Sequence, residues 1–231
     1  GLFNRVAATK KAAANGRRNV EDYEYGTNPC GEIILRSKGL CNLSEVVIRE
    51  KDTLDDLKKK IEVATIIGTF QSTLTNFRYL RSDWRKNQEE ERLLGVSLTG
   101  IMDHPVLSKP TEDCIKWLTE MREHAIHTNK HWADKLGIPV SAAITTVKPS
   151  GTVSQLVGCS SGIHPAYSKY YIRTVRMDNK DPLTTFFKDA GVPNEPDVTK
   201  PDNITVFSFP QRGSQSGVTR NETNALEQLQ L

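Results

Sequence analysis

ITTVKPSGTVSQLVG, residues 144–158, reads as three pieces in succession. Ile144 to Val147 is a β-branched run that suits a strand, Lys148 to Gly151 is turn-forming, and TVSQLV supplies the first turns of a helix. Strand, loop and helix in that order form the repeating unit of α/β folds. The same unit can bind an anion, because the first N–H groups of a helix are unpaired and its dipole is positive there. Hydroxyls of Ser150, Thr152 and Ser154 would add donors. An ordinary capped helix fits the residues equally well, and G-x-x-x-x-G-K-[ST] is absent.

Working outward, the strand extends back to Ala142, and LLGVSLTG (93–100) reads as a second short buried strand. Between them a helix is expected from about 111 to 136, with Cys114, Leu118, Met121 and Ala125 as its core stripe and Gly137 and Pro139 as its stop. DTLDDLKKK opens an earlier helix, capped by Thr53, with Asp55 and Asp56 in the first turn and an expected apolar face of Ile67, Phe70, Leu74 and Phe77. EIIL and EVVI are β-prone runs separated by the turn-like RSKG, while residues 1–27 suggest irregular chain with one short helix. Beyond residue 158, YYIRTVRM and ITVFSF read as strands flanking the helix DPLTTFFKDAG, and TRNE (219–222) reads as a capping box opening the last helix. The alternation predicts an α/β architecture with a largely parallel sheet, and residues 1–231 form one domain or part of one.

Composition narrows the function. The chain has 231 residues, 37% hydrophobic and 26% charged, with net charge +3, which argues for a globular protein without a general affinity for nucleic acid. Arg5, Lys10, Lys11, Arg17 and Arg18 cluster without aromatic residues among them and read as a solvated face. No apolar run approaches the ~18 residues of a membrane helix, and no signal peptide is recognisable. Four scattered cysteines do not make a secreted disulfide framework, so a reducing, cytoplasmic setting is expected. The sequence starts without Met and stops within ALEQLQL, which reads as a fragment of something longer.

The chemistry concentrates in NPCGEIILRSKGLC, residues 28–41. Pro29 and Gly31 around Cys30 build a tight loop that holds one thiol at its tip, with Asn28 and Glu32 beside it. Redox, radical and nucleophilic roles all suit that trio, as does a plain buried cysteine. A nucleophile would want a histidine base, and the first histidine in the sequence is His104. Cys41 is too distant from Cys30 for a C-x₂₋₄-C zinc knuckle, and Cys114 and Cys159 offer no second pair, so no metal site is expected and redox work is the better reading. His124, His127 and His131 read as a solvated helix face. Cys159 reads as a structural thiol, and His164 as a loop residue bordering the anion loop.

Taken together, NPCGEI with LCNL, LLGVSLTGIMD, VKPSGTVSQLVGCSSGIHP and YYIRTVRM resemble the ribonucleotide reductases, and more narrowly the adenosylcobalamin-dependent (class II) ribonucleoside-triphosphate reductases. The resemblance covers essentially the whole chain. It implies a ten-stranded α/β barrel threaded by a central finger loop, of which this chain is the carboxy-terminal half. The finger loop would span about 26–36. Cys30 would become the thiyl radical that takes the ribose 3′-hydrogen, Glu32 the base on the 3′-hydroxyl, and Asn28 a hydrogen-bonding partner of the ribose hydroxyls. Cys41 would be one of the two reducing cysteines. The loop 148–154, with Pro149, Ser150, Gly151, Thr152, Val153 and Ser154, would hold the substrate phosphates. The resemblance further implies adenosylcobalamin as cofactor, a thioredoxin-like reductant, and a deoxynucleotide effector site in the half not present. The second reducing cysteine and the mobile cysteine pair have no counterpart here, so the fragment alone is expected to be inactive. Two alternatives remain: the large subunit of a metal-radical (class I) reductase, which would need a tyrosine relay that nothing marks Tyr167, Tyr170 and Tyr171 as forming, and a non-catalytic nucleotide-binding fragment that acts only when joined to its other half.

Overall fold

The computed structural model describes residues 2–14 and 25–231, so the expected basic pair Arg17 and Arg18 lies outside the described residues. Helix α1 (Arg5–Ala14) turns Ala8 and Ala12 onto Tyr25 and Ile34. β1 (Gly26–Thr27) and β2 (Ile34–Leu35) form a two-rung antiparallel hairpin, pairing Gly26 with Leu35 and Thr27 with Ile34. β3 (Asn42–Val47), α2 (Leu54–Gln71), α3 (Ser82–Glu91) and β4 (Leu94–Thr99) follow. After a 3-10 turn at Ile101–Asp103 come α4 (Glu112–Leu136) and the short α5 (Thr152–Val157).

The core is the parallel pair β3–β4, in register from Asn42 opposite Leu94 to Val47 opposite Thr99. Residues 142–147 lie along the other edge of β4 in the same direction. The N–H of Leu94 donates to Ala143 O and that of Val96 to Ile144 O, both at 2.9 Å, and the N–H of Thr146 donates back to Val96 O at 3.0 Å. The expected strand there pairs only through the Val96–Thr145 bridge. β4 is buried along nearly its whole length, as a central parallel strand should be. α2 and α4 cover the sheet with Leu57, Ile61 and Ala64 from one and Cys114, Met121 and Ala125 from the other. Leu57 and Leu94, 0% and 1% exposed, each contribute about 2 kcal/mol by burial.

The caps of both long helices follow the sequence. Thr53 Oγ1 accepts from the Asp56 N–H while Asp56 Oδ2 accepts from the Thr53 N–H, and Gly137 closes α4 at φ 64°. The expected apolar face of α2 is corrected. Ile67 and Phe70 are exposed, and the helix ends at Gln71 before Leu74 and Phe77. The face with the small residues won: Gly68 brings the helix so close that a methyl group there would lie 3.3 Å from Leu94 Cδ2.

The parallel expectation fails for the second sheet. β5 (Tyr170–Asp178), β6 (Asn194–Pro196) and β7 (Ile204–Arg212) are antiparallel in the order β5–β7–β6, with α6 (Pro182–Asp189) in the connection. Eight residues of helix rise about 12 Å, far short of the roughly 30 Å of a nine-residue strand, so α6 does not carry the chain back for a parallel return. The last helix, α7 (Ala225–Gln230), is opened by Asn224 and Glu227 and not by Thr219 and Glu222. The latter pair closes a separate turn, with Thr219 N–H and Oγ1 both donating to Glu222 Oε2. No helix among the described residues is long and apolar enough to cross a membrane.

Candidate functional site

The tip of the β1–β2 hairpin is held by Asn28. Its backbone O accepts from the Gly31 N–H and its side-chain Oδ1 from the Ile33 N–H, both at 3.0 Å. Gly31 takes φ +81°, a conformation that glycine adopts without strain. Cys30 is exposed at the turn. Glu32 is half-buried, and its Oε2 is shielded from solvent without a hydrogen-bond partner among the described residues. Its backbone O accepts from Thr146 Oγ1 at 2.9 Å, which docks the tip on the 142–147 segment.

Cys41 stands just before β3, half-buried. A methyl group at Gly95 would lie 3.2 Å from Cys41 Sγ and 3.3 Å from Thr146 Cγ2, so both side chains pack on that glycine. Thr146 thus holds the Glu32 backbone and shares with Cys41 the surface over Gly95. Neither Thr146 nor Gly95 was singled out by the sequence reading. The signal for Gly95 was present, because a glycine inside a strand pattern marks a close approach.

The 148–154 loop begins two residues beyond Thr146. Ser150 and Ser154 are buried. Ser150 Oγ donates to Glu45 Oε1 and accepts from the Ser154 N–H at 3.2 Å, and Ser154 Oγ donates to Gly151 O at 3.0 Å. Two of the three expected hydroxyl donors are therefore turned inward and build the loop. Lys148 Nζ pairs with Glu45 Oε2 at 2.7 Å. Pro149, Gly151, Thr152 and Val153 are exposed, and the first-turn N–H groups of α5 lack intrahelical acceptors. Behind the loop, Gly162 at φ +54° packs where a methyl group would stand 2.9 Å from Lys148 O. Glu45, whose side chain is only 9% exposed, was not anticipated; a lone acid in a β-run carries no signal of a partner a hundred residues away.

The remaining candidates stand apart. Burial pushes the Cys114 and Cys159 thiols above their ordinary range, and Cys114 Sγ donates to Leu107 O. Asp103 accepts from the Ser160 N–H at 2.7 Å, while burial pushes its carboxyl up. His127, His131 and His164 are exposed, and His124 lies 3.4 Å from Glu62. Among the described residues no three His, Cys, Asp or Glu side chains converge on a possible metal position. Tyr167 and Tyr171 meet edge-on with centroids 6.0 Å apart, and Tyr167 also carries the Arg220 guanidinium over its ring.

No protein-family model matches the chain. Curated relatives do. An adenosylcobalamin-dependent ribonucleoside-triphosphate reductase of Lactobacillus acidophilus is 34% identical over 226 residues, covering 85% of this chain and 29% of the relative. One of Euglena gracilis with the same name is 31% identical over 221 residues, covering 94% of this chain and 29% of the relative. Among solved structures, a B12-dependent (class II) ribonucleotide reductase matches with TM-score 0.69 and 27% identity over 84% of this chain. The chain belongs to the adenosylcobalamin-dependent ribonucleotide reductase family. It spans less than a third of the length of these relatives and 30% of that structure. The alpha subunit of an Actinobacillus ureae class Id ribonucleotide reductase shares the fold, at TM-score 0.50 and 16% identity. This reductase segment carries its cysteine hairpin and its 148–154 loop on one parallel framework, β3, β4 and the 142–147 segment.

Proposed function

We propose that the protein to which this chain belongs reduces ribonucleotides, and specifically ribonucleoside triphosphates, to 2′-deoxyribonucleotides for DNA synthesis by radical chemistry. One observation carries this reading: an exposed thiol (Cys30) and a carboxylate whose shielded Oε2 has no partner among the described residues (Glu32) share a hairpin tip held by Thr146, and Thr146 and a second thiol (Cys41) both pack on Gly95. A sulfur radical at Cys30 takes the 3′-hydrogen of the ribose and later returns it. Glu32, whose Oε2 has no hydrogen-bond partner among the described residues, accepts the 3′-hydroxyl proton. The 2′-hydroxyl leaves as water, and the two reducing equivalents come from Cys41 with a partner cysteine outside this chain, which together end as a disulfide. A thioredoxin-like dithiol in a reducing cytoplasm regenerates them. Asn28 supports the ribose hydroxyls from the same tip. The backbone N–H groups near Gly151, Thr152 and Val153 receive the phosphates, on a loop built by Pro149, Ser150 and Ser154. The finger loop is thereby assigned to about 26–36 and the phosphate loop to 148–154, both within one catalytic-domain segment. A deoxynucleotide effector acts elsewhere in the protein.

Adenosylcobalamin, when bound, supplies the radical that converts the Cys30 thiol to a thiyl. The residues present suit such a source because the Cys30 thiol is exposed at its tip and open to a large partner. The test is a cobalamin-dependent reduction assay on the whole protein, with Cys30→Ser beside it. Turnover is expected only with the cofactor and only with Cys30. Residual reduction by the variant overturns the radical assignment, and full activity without cobalamin but with a separate radical-generating subunit turns the reading to a class I enzyme.

A further inference from the structure

The chemistry above makes no use of α3, yet this helix holds the base of the cysteine hairpin. Arg36, directly after β2, places Nη1 2.6 Å from Glu90 Oε2 and Nε 3.4 Å from Glu91 Oε1. Lys38 pairs with Asp83, and Asn87 Nδ2 donates to Ser37 O at 2.8 Å and Lys38 O at 3.3 Å. Asp83, Asn87, Glu90 and Glu91 recur at i, i+4, i+7 and i+8, the spacing of one helix face. In α3 that face is polar, and it grips three consecutive residues, 36–38. Arg36 and Glu91 are both sequestered, with side chains 10% and 2% exposed.

The far end of the grip is anchored too. Glu91 O accepts from the Ala142 N–H at 2.8 Å, at the start of the segment whose Thr146 holds the hairpin tip. Arg92 then leaves the helix at φ 43° and donates to Ser72 O at 2.7 Å. On the opposite side, Ala8 and Ala12 of α1 pack on Tyr25 and Ile34. The hairpin is thus fixed at its base by α3 and at its tip by Thr146, and both supports meet in residues 142–146.

A buried ion pair adds little net stability compared with apolar packing, but a guanidinium that hydrogen-bonds Glu90 and lies against Glu91 is held in one direction by two carboxylates. We propose that Arg36 and Glu91 are positioning residues that set the orientation of the hairpin, and through it the placement of Cys30 and Glu32 against Cys41. The proposal rests on the reading of Cys30 and Glu32 as radical and base. Neither Arg36 nor Glu91 touches substrate. Their effect is geometric, and a displacement of about 1 Å at reacting atoms costs on the order of a hundredfold in rate.

The test compares Arg36→Gln, Arg36→Lys and Glu91→Gln in the whole protein, with Lys38→Ala as a milder variant that leaves the buried pair intact. Amide hydrogen exchange is followed by peptide, and turnover is measured with its kcat and KM separated. In Arg36→Gln and Glu91→Gln, exchange over residues 26–36 is expected to rise about tenfold or more while α2 and α4 keep their protection. In the same variants kcat is expected to fall by roughly a hundredfold with KM within about twofold. Arg36→Lys recovers part of both, and Lys38→Ala shifts exchange in the same direction but less. Arg85→Ala, on the exposed side of the same helix, is expected to change neither. Wild-type exchange over 26–36 in the two stronger variants overturns the proposal, as does protection lost equally from α2 and α4. If the wild-type protein fails to reduce nucleotides, the functional reading falls while the exchange data still decide whether α3 clamps the hairpin.

Discussion

Gly95 shows how one missing side chain can tie two reactive groups together. A methyl group there meets three neighbours, Leu43 Cδ2, Cys41 Sγ at 3.2 Å and Thr146 Cγ2 at 3.3 Å. Leu43 is 39% exposed and can rotate away at little cost. Cys41 and Thr146 must each yield by a few tenths of an ångström, and Thr146 carries the Glu32 carbonyl. Gly95→Ala is therefore expected to lower stability by about 1–3 kcal/mol, and to reduce turnover of the folded whole protein about tenfold through displaced reacting groups. Urea midpoints and turnover on the same preparation check this; a loss of activity no greater than the loss of folded protein counts against it. Glu45 belongs to the same scale of argument. By taking both Lys148 and Ser150 it turns two polar side chains of the 148–154 loop inward, so a count of hydroxyls in the sequence overstates the outward donors.

Among the elements, the antiparallel β5–β7–β6 sheet is fastened at its edge by Asp197, just beyond β6. Its Oδ1 accepts from Thr199 Oγ1 at 2.6 Å and the Thr199 N–H at 2.9 Å, and its Oδ2 from Arg176 Nε on β5 at 2.8 Å. Those donors, led by the Thr199 hydroxyl, hold the carboxyl well below the usual carboxylate range. A depressed folded pKa means stability that is present above the unfolded value of about 4 and is lost as pH falls toward the folded one. Asp197→Asn is expected to lower the urea midpoint near neutral pH, with the gap to wild type narrowing as the pH drops below about 4; a gap independent of pH would contradict the assignment. This sheet also marks where the sequence stopped being informative. Its strands were legible as strands, but strand direction is set by how far a connection reaches, which local pattern does not encode. The first layer was announced by caps and burial pattern: α2 by Thr53 and Asp56, α4 by Thr111 and Gly137, and β4 by its mostly apolar run. α3 was invisible because SDWRKNQEEE buries Gln88 and Glu91 where apolar periodicity is expected. The Cys30 loop was legible because Pro29 and Gly31 punctuate it, whereas its supports, Thr146, Glu90 and Glu91, lie 54 or more residues from the groups they hold.

At the scale of the molecule, the described residues leave broad apolar surface uncovered. Val63, Ile67 and Phe70 of α2 are 56%, 56% and 44% exposed, beside a β3 whose outer edge carries no strand among the described residues. Contiguous apolar surface of this kind marks a contact face, in keeping with a chain that spans less than a third of its relatives. The cysteines give the sharper consequence. Reduction at the 2′-position takes two electrons, so two thiols must be able to form a disulfide next to the substrate. Cys41 is one. Cys114 is buried against Leu107 in the α4 core, and Cys159 sits beside Thr99, with both thiols pushed toward the protonated, unreactive form. Cys30, as the proposed radical, must return its hydrogen. The isolated 231 residues are therefore expected to show no nucleotide reduction with adenosylcobalamin and a dithiol, under conditions where the whole protein turns over. Sustained reduction by the isolated chain would mean that Cys114 or Cys159 completes the pair, and Cys114→Ser and Cys159→Ser made singly would then show which one.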